Sequence, residues 1–146
     1  GFELDCINEL GEKERIVMIH CAIMGSIERF LSVLIEHFAA AFPLWLSPVQ
    51  IAILPVADRH IEFAQALAKE LDGFWLRANV DSSAESVGKK IRQAEKQKMP
   101  CMLVVGDKEV EGGPLTVRRR GSPDQLSLEK QAFIDLLLEE VKTKKL

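Results

Sequence analysis

Apolar positions along the chain alternate between the spacing of a helix and that of a buried strand. Ile27, Phe30, Leu31, Leu34, Ile35 and Phe38 recur at intervals of three and one, which lays them along a single helical face. Gly25-Ser26 offers that helix an N-cap. Pro43 stops it near Phe42, because a residue before proline is driven out of the α region. Upstream, Arg15 to His20 is a β-branched apolar run that predicts a buried strand. Gly1 to Ile16 shows no sustained period, and Gly11 to Arg15 reads as a turn. Phe42 to Pro48, with two prolines and Trp45, is the expected domain junction.

Beyond it the pattern is regular. Gln50 to Ala57 predicts a strand. Asp58 then caps a helix with Ile61, Ala64, Leu67, Ala68 and Leu71 on one face, ended by Asp72-Gly73. Phe74 to Val80 predicts a second strand, and Ser82 with Glu85 a capping box for a helix striped by Val87, Ile91 and Ala94. Met99 to Val105 is continuously apolar, as a central strand covered on both faces requires. Glu109 to Glu111 and Leu115 to Arg119 flank Gly112-Gly113 and predict a hairpin. Ser127 caps a last helix carrying Ala132, Phe133, Leu136, Leu137 and Val141. This order calls for a three-layer α/β domain with a mixed, mostly parallel sheet. Such a sheet presents ligands at the carboxyl ends of its parallel strands.

A chain of 146 residues, 47% hydrophobic and 28% charged, holds one compact domain and a modest extra piece. Cys6, Cys21 and Cys101 form an odd set without paired spacing. Neither a disulfide framework nor a zinc ribbon is indicated, and a reducing, cytoplasmic setting is expected. The most apolar stretch, Phe30 to Leu46, is interrupted by Glu36, His37 and Pro43 and predicts no membrane span. Glu3, Asp5 and Glu9 speak against an export signal.

The net charge of -3 conceals an asymmetry. Phe74 to Arg120 holds ten Lys and Arg against six Asp and Glu, or +4, which leaves -7 for the remainder. No glycine-rich phosphate loop, Cys-x-x-Cys, His-Glu-x-x-His or Gly-x-Ser-x-Gly accompanies this basic block. Cys101 reads as a core thiol, and His37 and His60 as structural. Of His20 and Cys21, adjacent on a strand, at most one could serve a given metal, since neighbouring side chains point to opposite faces. Lys89, Arg92 and Lys96 form an exposed helical row, and Arg118 and Arg120 share one strand face opposite Leu115 and Val117. Together with the carboxylate of Glu109, these cations offer what single-stranded RNA recognition needs: charge for phosphates, planar donors and an acceptor for bases. An aromatic content of 6%, without tyrosine, supplies few stacking platforms.

The run Met18-Ile19-His20-Cys21-Ala22-Ile23-Met24-Gly25-Ser26-Ile27-Glu28-Arg29-Phe30 resembles the third signature motif of class II threonyl-tRNA synthetases, whose ending Gly-Ser-x-Glu-Arg-Phe is specific. The resemblance continues through Phe42-Pro43-x-Trp45-Leu46-x-Pro48-Val49-Gln50, Val87-Gly88-x-Lys90-Ile91-Arg92, Gly106 to Glu111 and Val117-Arg118. It implies an anticodon-binding domain at 44–146, preceded at 1–43 by the last strand and helix of a catalytic domain. It also implies that Arg29 contacts ATP phosphates and that His20 is one of three zinc ligands in the complete enzyme, the other two lying outside this chain. Arg92, Glu109 and Arg118 match the positions that read the second and third anticodon bases of threonine tRNA.

The family's usual Arg-Asn-Glu-Lys stretch has become Ser83 to Ser86, which retains only Glu85, and Lys89 stands where relatives carry an apolar or aromatic residue. Lys89 is therefore a candidate replacement phosphate contact. The complete enzyme is expected to ligate threonine to its tRNA with ATP and zinc and to be a homodimer. This chain alone is expected to be inactive, to need no cofactor, to bind neither DNA nor membrane, and to exist as a monomer. Two rivals remain: a free-standing synthetase-derived RNA-binding or regulatory module, which would have no need of Val17 to Phe30, and a metabolic α/β enzyme, which would need a polar catalytic cluster.

Overall fold

The computed structural model describes residues 3–22 and 24–146. Ile23 of the motif run, and Gly1 and Phe2 of the opening segment, lie outside the described residues. Contacts divide the chain into two compact units, Gly1–Leu34 and Ile35–Leu146, the division falling inside helix α1 (Ile27–Phe38).

In the first unit, β1 (Asp5–Ile7) and β2 (Lys13–Arg15) pair antiparallel. The turn between them is closed by Asn8, whose Oδ1 accepts from the N–H groups of Leu10 and Glu12. The buried strand expected over Arg15 to His20 is not formed. Pairing ends at Arg15, and Val17, Met18 and Ile19 are 84%, 74% and 88% exposed. An apolar β-branched run becomes a strand only where neighbours satisfy its backbone and cover its side chains, and no described strand lies beside this one. The cap on α1 is as expected: Ser26 Oγ accepts from the Arg29 N–H at 3.3 Å. The helix ends earlier than Phe42 because Ala39 and Ala40 turn left-handed, at φ 47° and 61°.

The second unit is built on a five-stranded sheet ordered β4-β3-β5-β6-β7. β3 (Ile51–Pro55) lies parallel to both β4 (Ala78–Val80) and β5 (Cys101–Val105). β6 (Leu115–Arg119) runs antiparallel to β5, and β7 (Gln125–Leu128) antiparallel to β6. One face carries the main core: Ile51, Ile53, Leu103 and Val117 meet Leu67 and Leu71 of α2 (Ile61–Asp72) and Phe133 and Leu137 of α5 (Lys130–Lys142). The opposite face is covered by α3 (Val87–Lys96), where Ala94 and Ile91 pack on Ala52, Leu54 and Met102. The α/β architecture is thus three-layered with a mixed sheet, as expected, and β5 occupies its centre with both faces covered.

Several local expectations are corrected by tertiary hydrogen bonds. Asp58 opens a 3-10 turn (Asp58–His60) without capping α2; instead the ring of His60, 2% exposed, accepts at Nδ1 from the Ala57 N–H. Of Phe74 to Val80, only Ala78–Val80 is strand, because Trp75 reverses the chain at φ 61°. The Ser82 and Glu85 capping box does not form. Asp81 Oδ1 accepts from the Ser83 N–H, and α3 begins at Val87. Glu109 to Glu111 is no hairpin strand. Asp107–Val110 is a single helical turn, α4, stopped by Gly112 at φ +89° and by Gly113. A Cβ on Gly113 would lie 2.7 Å from the Lys108 carbonyl oxygen, so this stop requires glycine. The hairpin partner of β6 is β7, which contains Ser127; the α5 N-cap is Glu129.

Phe42 to Pro48, the expected junction, is tied into the second unit. Ser47 Oγ donates to the Phe42 and Pro43 carbonyls, Gln50 Nε2 donates to Leu44 O at 3.0 Å, and Arg77 donates to the carbonyls of Ser47 and Pro48.

Candidate nucleic-acid interface

The basic block contains ten cations, and most are committed to holding the fold. Arg77 ties the segment before β3. Arg119 pairs with Glu140 on the α5 side of the sheet, beside the Cys101 thiol. Arg120, expected to share the RNA-facing strand face with Arg118, instead donates to Lys98 O at 2.6 Å, Phe42 O at 2.7 Å and Ala41 O at 3.0 Å. Lys98 reaches Ala39 O, and Lys90, 4% exposed, donates to Pro55 O at 3.2 Å and Asp81 O at 3.0 Å. Lys89 pairs with Glu85 at 2.7 Å one helical turn away. Arg92 and Arg118 make no side-chain hydrogen bond or ion pair among the described residues, so their guanidinium groups are available to a ligand.

The register places Arg118 on the sheet face covered by α3, the helix that carries Arg92. Met102 and Arg118 are partners across β5 and β6, as are Val104 and Thr116. Met102 packs against α3, so Arg118 and Thr116 lie on the α3 face of the sheet. On α3, Glu95 lines one cleft with Arg118, Met99 and Met102. Arg92 is one turn earlier than Glu95 on the same side of the helix. Glu109 sits at the carboxyl end of β5. Its Oε1 accepts from Thr116 Oγ1 at 2.7 Å and its Oε2 from the Gly106 N–H at 2.8 Å. Arg118, Thr116 and the Glu109 carboxylate bonded to Thr116 thus lie on the sheet face covered by α3, the helix that carries Arg92.

Electrostatics support an ionised Glu109. Burial at 5% exposure pushes its pKa up, but the hydrogen bonds from Thr116 and Gly106 and the charge of Lys108 outweigh this and leave it below the usual glutamate value. Each oxygen already accepts one hydrogen bond, leaving one lone pair apiece. Next to it, Asp107 accepts from Arg59 at 2.7 Å and 3.0 Å and meets His60 Nε2 at 2.9 Å. Hydrogen bonding to Arg59, then to His60, lowers Asp107 to about 2. Because His60 Nδ1 accepts from Ala57, Nε2 carries the proton and donates to Asp107. The contact of Arg59 Nε with that same Nε2 is then not a hydrogen bond, and Arg59 Nε donates to Asp107 alone.

This latch between the loop after β3 and α4 was not apparent from sequence, where His60 had no partner at any local spacing. Thr116 was legible: two positions before Arg118 on one strand, it had to share that face.

His20 and Arg29 belong to the first unit and are both exposed. A zinc site takes at least three protein ligands. Among the described residues no three His, Cys, Asp or Glu side chains converge. Among the described residues no helix is long and apolar enough to cross a membrane.

Among the described residues, Arg92 and Arg118 are thus the arginines of the basic block left without a partner on a three-layer α/β domain with a mixed sheet. The family model for the anticodon binding domain matches residues 50–140, and the chain belongs to that family. It is 46% identical over 143 residues to the threonine–tRNA ligase of Desulforamulus reducens, covering 98% of this chain and 22% of that protein. To the threonine–tRNA ligase of Rubrobacter xylanophilus it is 52% identical over 115 residues, covering 79% of this chain and 18% of that one. The chain thus spans about a fifth of the length of the curated relatives it matches. Among solved structures, the RNA binding domain of threonyl-tRNA synthetase from Cryptosporidium parvum Iowa II superposes with a TM-score of 0.75 at 32% identity, covering 90% of this chain and 33% of that one.

Proposed function

We propose that this chain is the anticodon-reading part of a cytoplasmic threonine–tRNA ligase, with residues 44–146 as the binding domain and 1–43 as the end of the catalytic one. The observation that carries the reading is the pair Arg92 and Arg118, the two guanidinium groups left uncommitted on α3 and on the sheet face that it covers. A planar guanidinium donates in a fork that matches a guanine edge or a phosphate. The ionised carboxylate of Glu109 accepts from base imino or amino hydrogens through its remaining lone pairs. Glu85 and Lys89 stand at the head of α3, where Lys89 can exchange an exposed carboxylate for an RNA phosphate.

In the complete enzyme, which would join threonine to its tRNA using ATP and act as a homodimer, the motif match gives Arg29 to the ATP phosphates and His20 to zinc. Binding of this chain to a threonine tRNA anticodon stem-loop tests the reading. The stem-loop should bind, changes at the second and third anticodon positions should each weaken it by about 1–3 kcal/mol, and Arg118→Ala should flatten that discrimination. Equal affinity for every variant would reduce the surface to unspecific charge attraction. The same fold as a free-standing regulatory module would bind without anticodon preference.

A further inference from the structure

The loops that leave the two central parallel strands run side by side. Pro55 and Val105 are partners at the ends of β3 and β5, and the Val56 N–H donates to the Val105 carbonyl at 2.9 Å. The first loop continues into the 3-10 turn Asp58–His60, the second into α4. Four residues make too short a helix to hold its own direction, since isolated helices below ~12–15 residues are marginal in water. α4 is therefore aimed by what grips it from outside.

Two sets of bonds do so, from different sides. Glu109 fastens the turn toward β6 through Thr116 and closes back on the Gly106 N–H. Asp107, two positions earlier and so on the far side of the turn, fastens it toward the first loop. Its carboxylate accepts from Arg59 Nε at 3.0 Å and Arg59 Nη2 at 2.7 Å, one oxygen each, and Oδ1 also accepts from His60 Nε2 at 2.9 Å. His60 is 2% exposed and is pinned at Nδ1 by the Ala57 N–H. The side chains of Arg59 and Asp107 are 67% and 63% exposed. A pair so open to water adds little to global stability. What a two-bond fork supplies is direction.

We propose that Arg59 is a positioning residue for base reading: its fork on Asp107 fixes the orientation of α4 and so aims the free lone pairs of Glu109. The inference rests on the anticodon reading above. A selective acceptor has to be held within about 0.5 Å of its productive place. Without the fork, Asp107 keeps only its bond to His60, a single point about which the turn can swing, and Glu109 swings with it.

The full chain is compared with Arg59→Ala and with Arg59→Lys, which keeps the charge but not the planar fork. Hydrogen exchange at the Gly106 amide, bonded to Glu109, reports on α4 without RNA. It should quicken about threefold to fivefold in both variants, the range of an exposed pair, while the amides of β5 stay as protected as in wild type. Preference for the threonine anticodon stem-loop over variants at its second and third anticodon positions should fall by a similar factor. The slope of log affinity against log salt should not change.

A slope shallower by about one unit with discrimination intact would make Arg59 a phosphate contact and overturn the positioning role. Wild-type exchange at Gly106 in Arg59→Ala would overturn it too. So would Arg59→Lys behaving as wild type, since charge alone would then suffice. Failure of the anticodon reading shows elsewhere: the wild-type chain itself would bind every stem-loop variant equally, and the positioning role would fall with it.

Discussion

Met102 and Arg118 face each other across the antiparallel pairing of β5 and β6, and this relationship decides which arginine of the Arg118-Arg119-Arg120 run can meet RNA. Met102 packs under α3, so Arg118 emerges on that face. Alternation sends Arg119 to the opposite side, where it pairs with Glu140. Arg120 follows the end of the strand and is drawn into three carbonyl hydrogen bonds.

The two arginines should therefore separate cleanly under mutation. Arg120→Ala leaves the carbonyls of Ala41, Phe42 and Lys98 without their donor and should cost about 1–3 kcal/mol in urea unfolding. Arg118→Ala should leave the unfolding midpoint unchanged and weaken the anticodon stem-loop. The reverse pattern would mean that Arg118 braces the fold.

Lys89→Ala should change stability by no more than about 0.5 kcal/mol, since it removes only an exposed pair one helical turn apart. If Lys89 contacts phosphate, the slope of log affinity against log salt should become shallower by about one unit. An unchanged slope would exclude that contact.

Glu109 ties stability to acid. Its carboxyl titrates below its ordinary value in the folded chain, so its contribution is fully present above the ordinary carboxylate range and is lost as pH falls through the lower folded value. Glu109→Gln turns an amide donor toward either Thr116 Oγ1 or the Gly106 N–H and should cost about 1–3 kcal/mol at pH 7. Denaturation of wild type and variant between neutral and acid pH should show the gap closing as pH falls; a constant gap would contradict this.

Cys101 is wholly buried, and that burial raises its thiol to about 11, partly offset by the neighbouring Arg119. Cys6 and Cys21 are exposed. A thiol-reactive disulfide reagent at pH 8 should modify those two promptly and reach Cys101 only on unfolding. Fast modification of all three would place Cys101 nearer the surface.

Leu103→Ala, at a fully buried position of the central strand, should cost about 2–5 kcal/mol by calorimetry or urea unfolding. A cost below one kcal/mol would mean the core collapses readily around the gap.

Patterns that depend on near neighbours were legible. The face of α1, the Ser26 cap, the continuous apolar run of β5 and the alternation of β6 all follow from spacing along one element. Expectations failed where a distant group competed for the same backbone. Asp81 took the Ser83 N–H from the expected capping box, His60 replaced Asp58 at the head of α2, and the pairing with β6 drew Ser127 into a strand. The motif residues Arg92, Glu109 and Arg118 could be picked out along the chain, but their placement about α3 could not, since it depends on strand register and on which side of the sheet α3 packs.

The sequence by itself determined the α/β class, the concentration of positive charge between Phe74 and Arg120, and the signature run from Met18 to Phe30. Only the tertiary structure decided which cations are spent. Arg120 bonds with a carbonyl 79 positions away, Arg77 with one 30 away and Lys90 with one 35 away. A guanidinium or ammonium is drawn to whichever unpaired oxygens the folded backbone brings within reach. Those oxygens are set by chain segments that no local pattern connects, so availability for RNA is a property of the fold.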